Sequence, residues 1–200
     1  MTRAAGQIVD LYERHAQAFD KDRFRGLFEK TWLDRFRALI PPGGSILDIG
    51  CGMGEPLARY LIEAGYALTG VDSSPSMIAL CEERFPAQTW LVADMRSLAL
   101  ARRFDGIIAW DSFFHLTPDD QRCMFPVFAA HAAPNAALMF TSGSAHGEAM
   151  GTYHGEKLYH ASLDPAEYRA LLTLNGFSVE AHIANDPDCG GHTVWLARYR

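Results

Sequence analysis

The segment that most restricts how this chain can fold is Asp48-Ile49-Gly50-Cys51-Gly52-Met53-Gly54. It lies between a run of strand character, Ser45–Ile49, and one of helical character near Pro56–Ala64. Glycines at alternate positions permit φ > 0 in a tight turn, and a side chain on Gly50 or Gly52 would obstruct a ligand lying against the main chain. The N–H groups at the start of the following helix attract an anionic or carboxylate group, the dipole contributing roughly 0.3–1 kcal/mol. Eighteen residues past Gly54, Asp72 follows the strand run Ala67–Val71. An acid at that place accepts hydrogen bonds from both hydroxyls of a ribose in dinucleotide-binding folds. No Gly-Lys-Ser/Thr follows, so the turn is not a P-loop. Its third glycine comes one residue too early for G-x-G-x-x-G, which weakens an NAD reading. A tight connection without any ligand stays open as the plain alternative.

The rest of the chain extends this strand–turn–helix unit. Ile8, Leu11, Tyr12, His15 and Phe19 lie on one helical face, and a second helix is expected from Phe24 to Ile40, stopped by Pro41-Pro42-Gly43-Gly44. Pro75 suits the first turn of a helix reaching Phe85. Trp90–Ala93, Phe104–Trp110 and Ala136–Thr141 are further strands; Asp119–His131 is a helix that Pro126 should bend, and Ala133-Pro134-Asn135 reads as a turn. Alternation of this kind indicates a parallel sheet with helices on both faces. A helix capped by Asp164 then precedes two strands, Phe177–Ile183 and Thr193–Tyr199, with no helix between them, which requires an antiparallel strand. Four units are expected within one domain: an N-terminal helical cap (1–42), the α/β core (45–141), a lid loop (142–162), and a C-terminal helix with a β-hairpin (163–200).

Composition removes several function classes. With 48 % apolar and 21 % charged residues among 200, the chain is of ordinary globular type. No apolar run approaches the roughly 20 residues of a membrane span, and Asp10 and Glu13 spoil a signal peptide, so a cytoplasmic location is expected. Cys51, Cys81, Cys123 and Cys189 form no C-x-x-C pair and read as free thiols. The net charge of −6 argues against a nucleic-acid partner. His146, His154, His160 and His192 lack metal-site spacing, so no metal is expected.

Beyond these readings, Ile46–Gly54 resembles the S-adenosylmethionine (SAM) motif of class I SAM-dependent methyltransferases. Val71–Ile78 resembles the second motif of that family, Val92-Ala93-Asp94-Met95 its adenine-side motif, and Phe104–Trp110 its fourth strand. The resemblance covers Ser45 to Thr141, with the motifs in order. It implies a Rossmann-like doubly wound α/β sheet of seven strands, order 3-2-1-4-5-7-6, with the last strand antiparallel. It also implies residue roles. Main chain at Gly50, Cys51 and Gly52 underlies the methionine part. Asp72 holds the ribose, with Ser73 and Met77 near the adenosine. Asp94 and the Met95 amide meet the adenine. Trp110 lines the methionine end, and Asp48 orients the turn or meets the ligand's ammonium.

Methyl transfer requires little beyond alignment of the acceptor with the sulfonium methyl, and orientation can supply on the order of 7–11 kcal/mol. Ligands lie beyond the carboxyl ends of the strands, which brings Asp111–His115 to the reacting centre. His115, with an ordinary pKa near 6.5, is the candidate base, against a packing role. The stretch 142–162, with four glycines and Tyr153, His154, Tyr159 and His160, is expected to be a long loop serving as a lid. Tyr12, His15 and Phe19 would either close the other side or pack in the core. The expected activity is methyl transfer to a small molecule, giving S-adenosylhomocysteine. A non-catalytic SAM-binding protein and an NAD(P)-dependent oxidoreductase are the alternatives.

Overall fold

A computed structural model describes residues 5–200. The first four residues of the expected 1–42 cap, which also open the stretch weighed as a signal peptide, lie outside the described residues.

Among the described residues, the helices α1 (Ile8–Asp22) and α2 (Lys30–Arg37) precede the sheet. The core follows as β1 (Ser45–Ile49), α3 (Leu57–Glu63), β2 (Ala67–Asp72), α4 (Pro75–Arg84), β3 (Thr89–Val92), β4 (Phe104–Ala109), α5 (Pro118–His131) and β5 (Ala132–Ser142). After these come β6 (Gly147–Tyr153), β7 (Glu156–Ser162), α6 (Pro165–Leu174), β8 (Phe177–Asp186) and β9 (His192–Tyr199). Seven strands form one sheet in the order β3-β2-β1-β4-β5-β9-β8, while β6 and β7 form a separate two-stranded sheet. β9 is antiparallel to both β5 and β8. This is the expected doubly wound order, renumbered by the extra hairpin.

Central parallel strands must be apolar on both faces, because helices cover both. β1 shows it: Ile46, Leu47 and Ile49 are fully buried. One face packs Trp32 and Phe36 of α2 and Leu61 of α3 against Ile46 and Ile108. The other packs Phe125 and Phe128 of α5 and Tyr168 of α6 against Phe113, Phe140 and Trp195. Local chemistry sets the helix starts. Ser74, Thr117 and Asp164 each accept a main-chain N–H of the first turn, and proline occupies the next position in all three helices.

Several boundaries differ from expectation. The second helix begins at Lys30 rather than Phe24; Gly26 interrupts the apolar pattern, and Phe24 stays exposed while stacking on Phe28. The helix α5 runs unbroken past Pro126. Ala133-Pro134-Asn135 does not end a turn but forms a bulge within β5, with Asn135 at φ 65° and a register shift opposite Phe104–Gly106. The largest difference is the expected loop 142–162, most of which is the β6–β7 hairpin. Its turn is His154-Gly155, at φ 48° and 80°, two left-handed residues of the primed type that suits hairpins. Glycines at 147, 151 and 155 hide the strand alternation in the sequence. Among the described residues, no helix is long and apolar enough to cross a membrane.

Candidate active site

Sheet geometry sends the chain ends of β1, β2, β3 and β4 to one edge, where a cavity of about 460 Å³ opens. Asp48, Gly50, Cys51, Gly52, Asp72, Ser73, Met77, Asp94, Met95, Trp110 and His115 all line it.

Its floor is the glycine turn. Gly50 and Cys51 donate to the Val71 carbonyl at 2.7 and 3.1 Å, which ties the turn to β2. The glycines are required for different reasons. At Gly50 (φ 75°) a Cβ would stand 2.2 Å from Ser112 Cβ, so Ser112, not a ligand, occupies the space a side chain would need. At Gly52 (φ 54°) a Cβ would meet only Phe19, 3.9 Å away, and main chain there borders open cavity. Main chain is therefore open to a ligand at Gly52, whereas Gly50 answers to the protein's own packing. The Ser112 hydroxyl donates to the Ile49 carbonyl at 2.7 Å and locks that packing.

Asp72 holds the same turn from β2. Its two oxygens accept from the Gly52 and Ser74 amides, each at 2.9 Å. A carboxylate has about four acceptor sites, so capacity for further donors remains. Burial raises its pKa, against the lowering by these amides. Asp48 is buried deeper in the floor, and burial together with the nearby Asp72 charge pushes it up to about 7. Burial also drives the Cys51 thiol well up, so it is inert as a nucleophile. The Ser73 hydroxyl donates to Ala93 at 3.2 Å. Met77 packs with Met53 and Ala16 beneath α1. Asp94 is held low by Arg96, whose amide and Nε donate to it at 2.9 and 3.0 Å. The Met95 methyl approaches Gly50.

At the end of β4, Trp110 is buried and its indole N–H has no partner among the described residues. A buried donor left unpaired costs about 1–3 kcal/mol, and this one borders the cavity. Asp111 stands at φ 49°, an uncommon conformation for a residue with a side chain. His115 is buried, and its Nδ1 lies 2.8 Å from the Tyr159 carbonyl. That nitrogen carries the proton, so Nε2 accepts from the Tyr12 hydroxyl at 3.0 Å. Burial lowers its pKa to about 4 rather than leaving it near 6.5. As a free base His115 is therefore weak, and its acceptor nitrogen is already engaged by Tyr12, itself raised by burial.

Two residues at the site escape the sequence reading, and Tyr12, expected there as closure or packing, borders the cavity and engages His115 as well. Arg23 pairs with the buried Glu29 at 3.3 Å and approaches Asp111 at 3.8 Å. His192 lies 3.1 Å from Asp111 and stacks on Trp110. The only hint was the Cys189-Gly190-Gly191-His192 run, whose glycines at φ 60° and 78° turn the chain back toward the site. The histidines weighed for a metal do not gather: His154 pairs with Asp22 at 3.1 Å, and His160 packs on His115 and Phe114.

The family model described as a methyltransferase domain matches residues 46–135. Among curated proteins, the dTDP-3-amino-3,6-dideoxy-alpha-D-glucopyranose N,N-dimethyltransferase of Streptomyces fradiae is 30 % identical over 137 residues, covering 68 % of this chain and 52 % of that protein. A malonyl-acyl-carrier-protein O-methyltransferase of Pectobacterium atrosepticum is 39 % identical over 93 residues, covering 43 % of this chain and 36 % of its own length. The chain thus spans about half or less of these relatives. Among solved structures, the DhpI complex with S-adenosylhomocysteine superposes with a TM-score of 0.76 at 20 % identity, covering 98 % of this chain and 97 % of that one. A SAM-bound amino pentose methyltransferase from Micromonospora echinaspora gives 0.72 at 18 % identity, over 94 % and 96 % of the two chains. At these identities the superpositions speak to the fold.

Proposed function

This chain belongs to the class I SAM-dependent methyltransferase family, and we propose on that premise that it transfers the methyl group of SAM to a small-molecule acceptor. One observation carries the reading. Residues from four separate strand ends converge on one cavity whose floor is bare main chain at Gly52 and whose wall holds the Trp110 indole N–H, unpartnered among the described residues. Those features fit an aminoacyl nucleoside.

When bound, SAM supplies an electrophilic methyl on a sulfonium. The protein's part is to hold and align. Gly50, Cys51 and Gly52 present main chain to the aminoacyl portion, and Trp110 offers its N–H there. Asp48 lies beside them without a hydrogen-bond partner among the described residues and suits a ligand ammonium. The spare acceptor sites of Asp72 suit a ribose, with Ser73 and Met77 alongside. Asp94 and the Met95 amide suit the adenine edge. The acceptor would occupy the end bounded by Tyr12, Asp111 and His115, where α1 and the hairpin exclude water. Through Tyr12, His115 would orient the acceptor; with a pKa near 4 it is poorly suited to remove a proton by itself. Acidic net charge, free cysteines and a roofed cavity support a small acceptor and a cytoplasmic setting. The relative named for a dTDP-amino sugar illustrates such an acceptor without fixing one.

Calorimetric titration with S-adenosylhomocysteine and NAD tests the cofactor. Binding of the former is expected, with a loss of roughly 1.5–3 kcal/mol in Asp72→Ala, the range for hydrogen bonds to a charged group. Binding of NAD alone would overturn the reading. A panel of small amines, alcohols and carboxylic acids, followed by S-adenosylhomocysteine release, tests catalysis. Cofactor binding without turnover on any of them would favour a regulatory SAM-binding protein.

A further inference from the structure

His192 opens β9, away from every motif that identifies the cofactor site, and is not among the residues bordering the cavity. Its ring nevertheless meets the site on two sides. Nδ1 lies 2.7 Å from the Cys189 carbonyl, and Nε2 lies 3.1 Å from Asp111 Oδ1 and 3.2 Å from Oδ2. Both partners can only accept. Both ring nitrogens must therefore carry protons for both bonds to exist, which makes the ring an imidazolium. The ring also contacts Trp110 at 5.6 Å and Phe28 at 5.4 Å between centroids, aromatic neighbours that favour a cation.

Asp111 gives this ring its importance. Its left-handed conformation persists only where the surroundings over-determine it. Its amide donates to Thr141 Oγ1 at 2.8 Å, and that hydroxyl donates back to Oδ1 at 3.3 Å. Arg23 Nη1 stands 3.8 Å from Oδ2, and His192 supplies the remaining clamp. Asp111 and Trp110 are adjacent in the chain, and both border the cavity beside Asp48 and Gly50.

We propose that His192 is a positioning residue for the aminoacyl end of the cofactor: as an imidazolium between the Cys189 carbonyl and Asp111, it fixes the Asp111 carboxylate and the Trp110 indole. The proposal rests on the cofactor reading above. The groups facing the ring are Asp111 from the end of β4, Glu29 from the segment before α2, Cys189 from the β8–β9 loop and, across Asp111 and Glu29, Arg23 after α1. The hydrogen bond to Asp111 is the largest influence and raises the His192 pKa above its ordinary value, against the opposing effect of burial. Burial pushes the Cys189 thiol up to about 12, so it stays neutral. When pH rises through the pKa of His192, one N–H is lost, one of its two hydrogen bonds breaks, and the cluster loses a positive charge.

The test is calorimetry on the full chain, wild type, His192→Phe and His192→Gln, each with S-adenosylhomocysteine and with adenosine, which lacks the aminoacyl arm. Phenylalanine keeps the ring contacts and removes both donors; glutamine keeps one donor without charge. For His192→Phe, S-adenosylhomocysteine should bind about tenfold more weakly or worse, with adenosine unchanged within about twofold and His192→Gln intermediate. Wild-type affinity for S-adenosylhomocysteine should fall above the raised His192 pKa, and neither variant should show that limb. Unchanged affinity in His192→Phe, an equal loss for both ligands, or the same high-pH fall in the variants would overturn the role of His192. A wild type that binds adenosine but not S-adenosylhomocysteine would instead remove the cofactor reading, and this inference with it.

Discussion

The floor of the cavity, Ile49–Gly54 with Asp72, is held by main-chain amides donating to Val71 and to the half-buried Asp72 carboxylate. Its roof, α1 with the β6–β7 hairpin, is joined by a small apolar cluster of Ile8, Tyr159 and Ala161 and, around the hairpin tip, by side chains in contact with water. Glu156 near the hairpin tip pairs with Arg14 and with His15, and His154 with Asp22. Glu13 of α1 reaches the start of α4, accepting from the Ser74 hydroxyl at 2.5 Å and the Ser76 amide at 3.0 Å. Floor contacts cannot be exchanged for water without opening the sheet. The ion pairs of the roof can, because exposed ion pairs contribute little and are screened by salt. A rigid floor under a releasable roof suits a site that must align a reaction and still admit its reactants.

Breaking the floor should have the largest effect. Gly50→Val places a β-branched residue at φ 75° and forces it into Ser112. Left-handed strain and overpacking together should cost about 4 kcal/mol of stability, read as a lower denaturant midpoint even without ligand. The fold itself is struck, not only binding.

Asp48→Asn should act in the opposite direction on stability. The folded-state pKa of Asp48 is raised from 3.8 to about 7, so the folded chain binds the extra proton between those values. Stability is therefore lost as pH rises through that window, and above pH 7 the buried charge is a full burden. Removing it should stabilise the free protein at pH 8 by up to about 4 kcal/mol. Cofactor affinity should fall at the same time if the ammonium needs this charge. Thermal melts at pH 5 and pH 8, with the gain clearly larger at the higher value, check the sign.

Disturbing the roof should change stability least. Glu156→Gln removes the partner of Arg14 and His15 at the hairpin tip. Its melting temperature should stay within about 2 °C of the parent, while hydrogen exchange over residues 147–162 speeds several-fold. Added salt should produce the same local loosening in the parent protein. Equal protection in parent and variant would make the roof as firm as the floor.

Much of the floor was legible because local rules decide it. A strand, a turn that only glycine can make, and an acid at the next strand end follow from short-range sterics, and Gly50, Gly52 and Asp72 stand where that logic put them. The hairpin was not legible, since glycines broke its alternation and His154-Gly155 is a weaker turn signal than Asn-Gly. The chemistry of His115 was misjudged for another reason. A side chain's pKa depends on what buries it, and the Tyr159 carbonyl and Tyr12 hydroxyl come from distant segments.

The sequence alone determined the order of strands and helices in the seven-stranded sheet, the position of the turn and the family resemblance, because these depend on periodicity and on what each residue permits its own backbone. Only the tertiary structure decided that Ser112 fills the space above Gly50, that Tyr12 engages His115, and that His192 reaches Asp111 across 81 positions. Those are pairings between groups far apart in the chain. Their energies depend on separation in space and on exclusion of water, neither of which is written into any local stretch of residues.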